Sequence, residues 1–204
     1  YHYHTTTPSL SQSYYNQMAL TKEQLPQLER MCEALYTSSN ADERKQAEHM
    51  LKVFSTNPEY ATQCQMILQN STSPYAQLLA SSSLVRLVTD HFLPANVKTD
   101  IRGYVTNYLA SHGASLMPFV VTSLVQLLCR VVKLGWFENE GHRECPQDVR
   151  KFLEQESPVH VYLGLRILCQ LVAEMNTPCP GRSLTQHRKT AVSFRDTALC
   201  DIFT

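Results

Sequence analysis

Apolar positions along this chain recur at spacings of three and four for most of its length, the period of an amphipathic helix. Leu25, Leu28, Cys32 and Leu35 share one face of a first predicted helix. Asn40, with Glu43 three residues on, reads as a capping box for a second, whose apolar side is Ala47, Met50, Leu51 and Phe54. Asn57-Pro58 opens a third helix bearing Cys64, Ile67 and Leu68, since proline is tolerated where the first helical N–H would be unpaired. Ser73-Pro74 repeats the device ahead of Ala76, Leu79, Ala80, Ser83, Leu84, Leu87 and Val88. Pro94 opens a helix carrying Val97, Ile101, Tyr104, Val105, Tyr108 and Leu109, with Gly113 as its predicted C-cap. A strongly apolar helix over 119–134 is stopped by Gly135. Residues 147–155 follow with Val149, Phe152 and Leu153; Ser157-Pro158 then starts a helix with Val161, Leu165, Leu168 and Val172. A loop over 176–183 precedes a ninth helix from Leu184 to Thr204.

No stretch alternates in the manner of a half-buried strand, and six glycines argue against a turn-rich β fold. The helices group in pairs. Leu51, Leu84, Leu128 and Leu168, comparable core leucines on the second helix of each pair, stand 33, 44 and 40 residues apart. A period near 40 is that of HEAT and armadillo repeats. A single pair cannot bury its own apolar face, so neighbours must stack. The expected fold is therefore an all-α HEAT/armadillo-type α-α superhelix, a solenoid. A four-helix bundle would need fewer helices; a closed nine-helix globule is the competing architecture. Residues 1–17 lack any helical period and are expected to be a disordered extension, with Met18 the start of the repeats over 18–204. Ala198, Leu199, Ile202 and Phe203 keep helical spacing with no polar cap, which predicts a chain truncated within a longer solenoid.

Composition narrows the classes. Eighteen Lys and Arg balance eighteen Asp and Glu, so no global field draws in DNA or an anionic membrane. No run reaches the roughly 18 consecutive apolar residues of a membrane span, and neither membrane insertion nor direct DNA binding is expected. Seven irregularly spaced cysteines do not form a disulfide framework; Cys32, Cys129 and Cys169 read as small hydrophobes in helices of a reducing compartment. Catalytic and nucleotide-binding signatures such as GxSxG, GxGxxG, a Walker loop or HExxH are missing, so neither an enzyme nor a cofactor is expected. His142 and Cys145 are two potential metal ligands where a tetrahedral site needs more, and no metal is expected.

The stretches RKQAEHMLKVF (44–54), SPYAQLLASSSLVRLV (73–88) and DIRGYVTNYLA (100–110) resemble, in order and spacing, the importin-β N-terminal domain over about 41–110. KLGWFENE (133–140), QLVAEMNTPCPG (170–181) and HRKTAVSFRDTALCDIFT (187–204) are similar to the exportin-7 and Ran-binding protein 17 branch of the karyopherin-β family. ENEGHRECPQD is short beside that branch's linker, which predicts a truncated first helix in the fourth pair. The resemblance implies a nuclear export receptor shuttling between nucleus and cytoplasm. Its implied partners are the GTPase Ran in its GTP form, protein cargo and nuclear pore proteins. Ran is expected on the concave second helices of the first three pairs, coupled to cargo so that each ligand tightens the other. The alternative is a HEAT scaffold that holds partners without Ran.

On those second helices, the side opposite the core stripe is the candidate Ran surface. It comprises Lys45, Glu48, His49 and Lys52 on the first, Gln77, Ser81 and Arg86 on the second, and Gln126, Arg130 and Lys133 on the third. Trp136 and Phe137 are expected as a helix-end anchor packed between repeats. Arg182, His187, Arg188, Lys189 and Arg195 form a local basic cluster, read as a solvated face open to an acidic partner or RNA.

Overall fold

The computed structural model describes residues 23–199. Among these, ten α-helices and no strand are present. They are α1 (Leu25–Thr37), α2 (Ala41–Leu51), α3 (Val53–Thr56), α4 (Ala61–Asn70), α5 (Pro74–Asp90), α6 (Ala95–His112), α7 (Pro118–Gly135), α8 (Cys145–Leu153), α9 (Pro158–Asn176) and α10 (Leu184–Phe194). Lys52, between α2 and α3, keeps right-handed helical dihedrals, so those two act as one expected helix. The expectations for residues 1–17, Met18, Ile202 and Phe203 lie outside the described residues.

The caps form where the sequence placed them, with one change of wiring. Asn40 Oδ1 accepts from the amides of Asp42 and Glu43. The Glu43 carboxylate does not return to the Asn40 amide directly: it accepts from Ser38 Oγ at 2.5 Å, and the Asn40 N–H donates to that same hydroxyl at 3.1 Å. Ser73 Oγ accepts from Ala76 N, with Pro74 in the first turn of α5. After Asn57 the chain makes a short 3-10 turn, Pro58–Tyr60, before α4 begins. Gly113 ends α6 without a left-handed turn; its φ is −54°. The glycine is needed there for space, because a Cβ would lie 2.6 Å from Leu163 Cδ1.

α1 packs on α2, α4 on α5, α6 on α7 and α8 on α9; α3, α5, α7 and α9 also follow one another in contact. Second helices thus form one layer and first helices the other, the stacking of a helical-repeat solenoid. Their shared core runs through Leu28, Cys32, Leu51, Ile67, Leu84, Ile101, Leu109, Leu124, Leu128 and Ile167, all buried. Polar bonds within each layer keep the same register. Tyr104 and Tyr108 on α6 donate to the carbonyls of Gln65 and Leu68 on α4, 39 and 40 residues back. Arg166 on α9 donates to Thr122 on α7, 44 residues back. Each ties one repeat to its neighbour.

Several expected apolar positions behave differently. Met50 is exposed, and so is Cys169. In α9 the expected row Val161, Leu165, Leu168 and Val172 is only partly covered, and Leu163, Gly164, Ile167, Leu171 and Met175 are buried instead. This helix is apolar nearly all round, so its period alone does not choose a face. The choice falls to Gly164, whose bare backbone admits Leu153 of α8, where a Cβ would stand 2.7 Å from Leu153 Cδ2. α7 is 18 residues long with mean hydropathy 1.5, long and apolar enough to cross a membrane, which the sequence reading missed; 67% of it is buried inside the protein, as befits the central core helix.

Candidate partner-binding surface

The layer of second helices divides the ten expected contact residues into two groups. Lys45, Glu48 and His49 on α2, Lys52 at its end, Arg86 on α5 and Gln126 on α7 are exposed. Gln77, Ser81 and Lys133 are buried, which corrects the expectation that they face a partner. Gln77 Nε2 donates to the Ser71 carbonyl at 3.0 Å, sealing the turn before α5. Ser81 Oγ donates to the Gln77 carbonyl at 2.9 Å, inside its own helix. Arg130 is half-buried and committed internally.

Arg130 and Lys133 converge on the last turn of α9. Arg130 Nε donates to Glu174 Oε1 at 2.5 Å, and its Nη1 donates to Thr89 Oγ1 on α5 at 2.7 Å. Lys133 Nζ donates to the carbonyls of Glu174 (2.8 Å) and Thr177. Glu174 is 5% exposed. A carboxylate at a helix C-terminus opposes the helix dipole, so this one needs its two cations. Burial favours the neutral amine and pulls the Lys133 pKa below its ordinary value, against the pull of Glu174. Burial also works against the Arg130 charge, yet the hydrogen bond and charge of Glu174 hold its pKa above the usual value. Sequence reasoning missed Glu174, though an acid in the last turn of an apolar helix is the signal that would have found it.

Trp136 is fully buried, edge-on to Phe194 at 5.7 Å, with Nε1 donating to Ser193 Oγ: the expected anchor between repeats. Phe137 is exposed instead. His142 is 1% exposed, packed where a Cβ on Gly135 would fall 2.4 Å from Nε2, and neither ring nitrogen has a partner. Burial, with Arg102 and Lys98 nearby, lowers its pKa to about 4. Burial also pushes the Cys145 thiol up to about 12, so it stays protonated, the opposite of a zinc-bound thiolate. Among the described residues, no three His, Cys, Asp or Glu side chains gather to hold a metal. In the basic cluster, Arg188 and Lys189 are exposed, and Arg195 pairs with Asp196 at 2.9 Å. Arg182 is engaged with the end of α5.

Stacked helix pairs with a mixed-charge exposed layer define a helical-repeat protein. Residues 47–111 match the importin-beta N-terminal domain. It is 43% identical to the Ran-binding protein 17 of Mus musculus over 190 residues, covering 91% of this chain and 17% of the relative. It is 42% identical to Exportin-7-B of Xenopus laevis, covering 92% and 18%. Ran-binding protein 16 of Drosophila melanogaster is 39% identical, covering 88% and 17%. The chain therefore spans less than a fifth of the length of these relatives. None of the three names describes an enzyme.

Proposed function

We infer that this chain supplies the N-terminal repeats of a nuclear export receptor and binds Ran-GTP through its second-helix layer. The observation that carries this is the identity to Ran-binding protein 17 and Exportin-7-B across nine-tenths of the chain, with the importin-beta N-terminal domain inside it. Cargo and nuclear pore proteins are the further partners, and the working route is between nucleus and cytoplasm. The exposed Lys45, Glu48, His49, Lys52, Arg86 and Gln126 lie on successive second helices, so a single partner can span them. Arg130 and Lys133 contribute to that surface through the shape they give it, because their charges are spent on Glu174.

The test is a titration of GTP- and GDP-loaded Ran against the wild type and a Lys45→Glu/Lys52→Glu/Arg86→Glu variant. Reversing exposed charges leaves the fold intact, whereas reversing Arg130 or Lys133 beside a buried carboxylate would unfold the seam and confuse the result. The GTP form should bind preferentially, since only there are the GTPase switch loops ordered. The variant should bind on the order of tenfold more weakly and with a shallower salt dependence. Equal binding of both nucleotide forms, or of neither, would leave a Ran-independent scaffold. An insensitive variant would remove only the residue assignment.

A further inference from the structure

Residues 177–183 (TPCPGRS) join α9 to α10 and do more than connect them. Two prolines flank Cys179 and restrict the backbone. Gly181 takes φ 71°, the left-handed region that L side chains avoid. Arg182 then reaches back across two repeats. Its Nη2 donates to the carbonyls of Thr89 (3.4 Å) and His91 (3.3 Å), 93 and 91 residues earlier, at the end of α5. Its guanidinium lies 3.9 Å above the ring of Phe92, which is otherwise 86% exposed. Cys179 is buried, and Arg130 Nη1 of α7 donates to its sulfur at 3.6 Å. Lys133 donates to the Thr177 carbonyl. One short segment thus touches the C-terminal ends of α5, α7 and α9, whereas the tyrosine and Arg166 bonds described above join neighbouring repeats only.

Its two halves are held unequally. The Thr177 end sits in the Arg130–Lys133–Glu174 seam, with short buried contacts. The Arg182 end rests on two long bonds to backbone carbonyls and on an open aromatic face. From Met175 to Arg195 the chain carries Arg182, His187, Arg188, Lys189 and Arg195 and no Asp or Glu. Two cations of the seam share one carboxylate, so freeing Arg182 leaves an uncompensated positive surface. A carboxylate would offer Arg182 a charge-assisted, bidentate bond in place of two neutral carbonyls.

We propose that residues 177–183 form a releasable strap that locks the second, third and fourth helix pairs together and covers Arg130, and that an acidic segment of a partner opens it by capturing Arg182. By linkage, a ligand that prefers the open strap must shift the population toward it. Where that partner is Ran or its cargo, the idea rests on the function inferred above; the strap itself does not.

Alkylation of Cys179 by iodoacetamide under native conditions reads the open population, followed by mass spectrometry of the peptide that contains it. Wild type should react slowly, Arg182→Ala on the order of tenfold faster, and Arg182→Lys in between. Poly-L-glutamate, compared with sodium chloride at matched ionic strength, should accelerate the wild type and leave Arg182→Ala unchanged. Cys129, fully buried in α7, is the internal control and should stay unreactive throughout. Equal Cys179 rates in wild type and Arg182→Ala would overturn the strap, as would Cys129 and Cys179 rising together, because the segment would then open only with the whole fold. An equal effect of poly-L-glutamate on both proteins would overturn its role as the release signal. Ran titration is a separate experiment, so failure of either reading is visible independently.

Discussion

At the scale of single residues, polar groups in this molecule are placed to hold neighbouring repeats in register, and His142 makes that hold depend on pH. The ring is buried against Gly135 with Lys98 and Arg102 on α6, Glu138 in the loop after α7 and Asp148 on α8 as its charged surroundings. Lys98 pairs with Glu138 at 2.5 Å, and Arg102 with Asp148 at 3.4 Å, so neither carboxylate is free to receive an imidazolium. The folded pKa of about 4 lies below the ordinary 6.5, so the unfolded chain takes up the proton first as pH falls. Stability from this group is complete above the unfolded value and is lost progressively as pH drops from 6.5 to about 4. The loss should reach about 3 kcal/mol over that window. Urea unfolding across pH, compared between wild type and His142→Leu, isolates it from the carboxylates, because leucine keeps the volume and removes the titration. Parallel stability curves for the two proteins would mean that His142 is not the titrating group. The sequence marked His142 only as a weak metal ligand, because the feature that matters is the collision space over Gly135, which is a property of packing.

At the scale of elements, periodicity was enough wherever a helix has one apolar face and failed where it has more than one. Every core position expected on α5 is buried, from Ala76 to Val88, with Gln77 and Ser81 buried beside them through bonds to backbone carbonyls. In α9 the expected row and the buried row lie on different sides, and Gly164 decides between them. Glycines therefore carry information that a pattern of hydrophobic letters omits. Gly164→Val should cost about 1–3 kcal/mol by overpacking against Leu153 and Phe152. Gly103, inside α6 with nothing within 4 Å of its missing Cβ, should behave in the opposite way. Gly103→Ala is expected to stabilise by about 0.5–1 kcal/mol through helix propensity and a less flexible unfolded chain. Melting curves of both variants check the pair, and the same sign for both would show that packing space does not govern these sites. Contact residues were less legible than the fold. Polarity on a second helix reads the same whether the group faces a partner, as Lys45 and Arg86 are free to do, or a neighbouring repeat, as Lys133 does. Only the partner across the seam, 41 residues away, separates them.

For the whole molecule, the stacking that gives a solenoid its length also leaves an outer face wherever a described helix has a neighbour on one side only. α9 has such a face. Val159 and Leu165 are 42% and 51% exposed and Tyr162 is 58% exposed, with Arg166 lying 5.7 Å over the Tyr162 ring. Val192 on α10 adds a further exposed apolar side chain, 46% exposed. Large exposed apolar groups close together on one helix are the kind of surface that associates. A further helix stacked there would bury them, at roughly 1.5–3 kcal/mol for each fully covered side chain. Without one, two copies of this chain should cover each other weakly. Sedimentation velocity at rising concentration, with reductant to keep Cys169 free, should show self-association of the wild type. Tyr162→Glu/Leu165→Glu should suppress it while shifting stability by no more than about 0.5 kcal/mol, as expected of surface substitutions. If the double variant associates as the wild type does, the sticky surface lies elsewhere. If it melts much earlier, these side chains already belong to the core of the repeats described, and α9 is covered more fully than its exposure indicates.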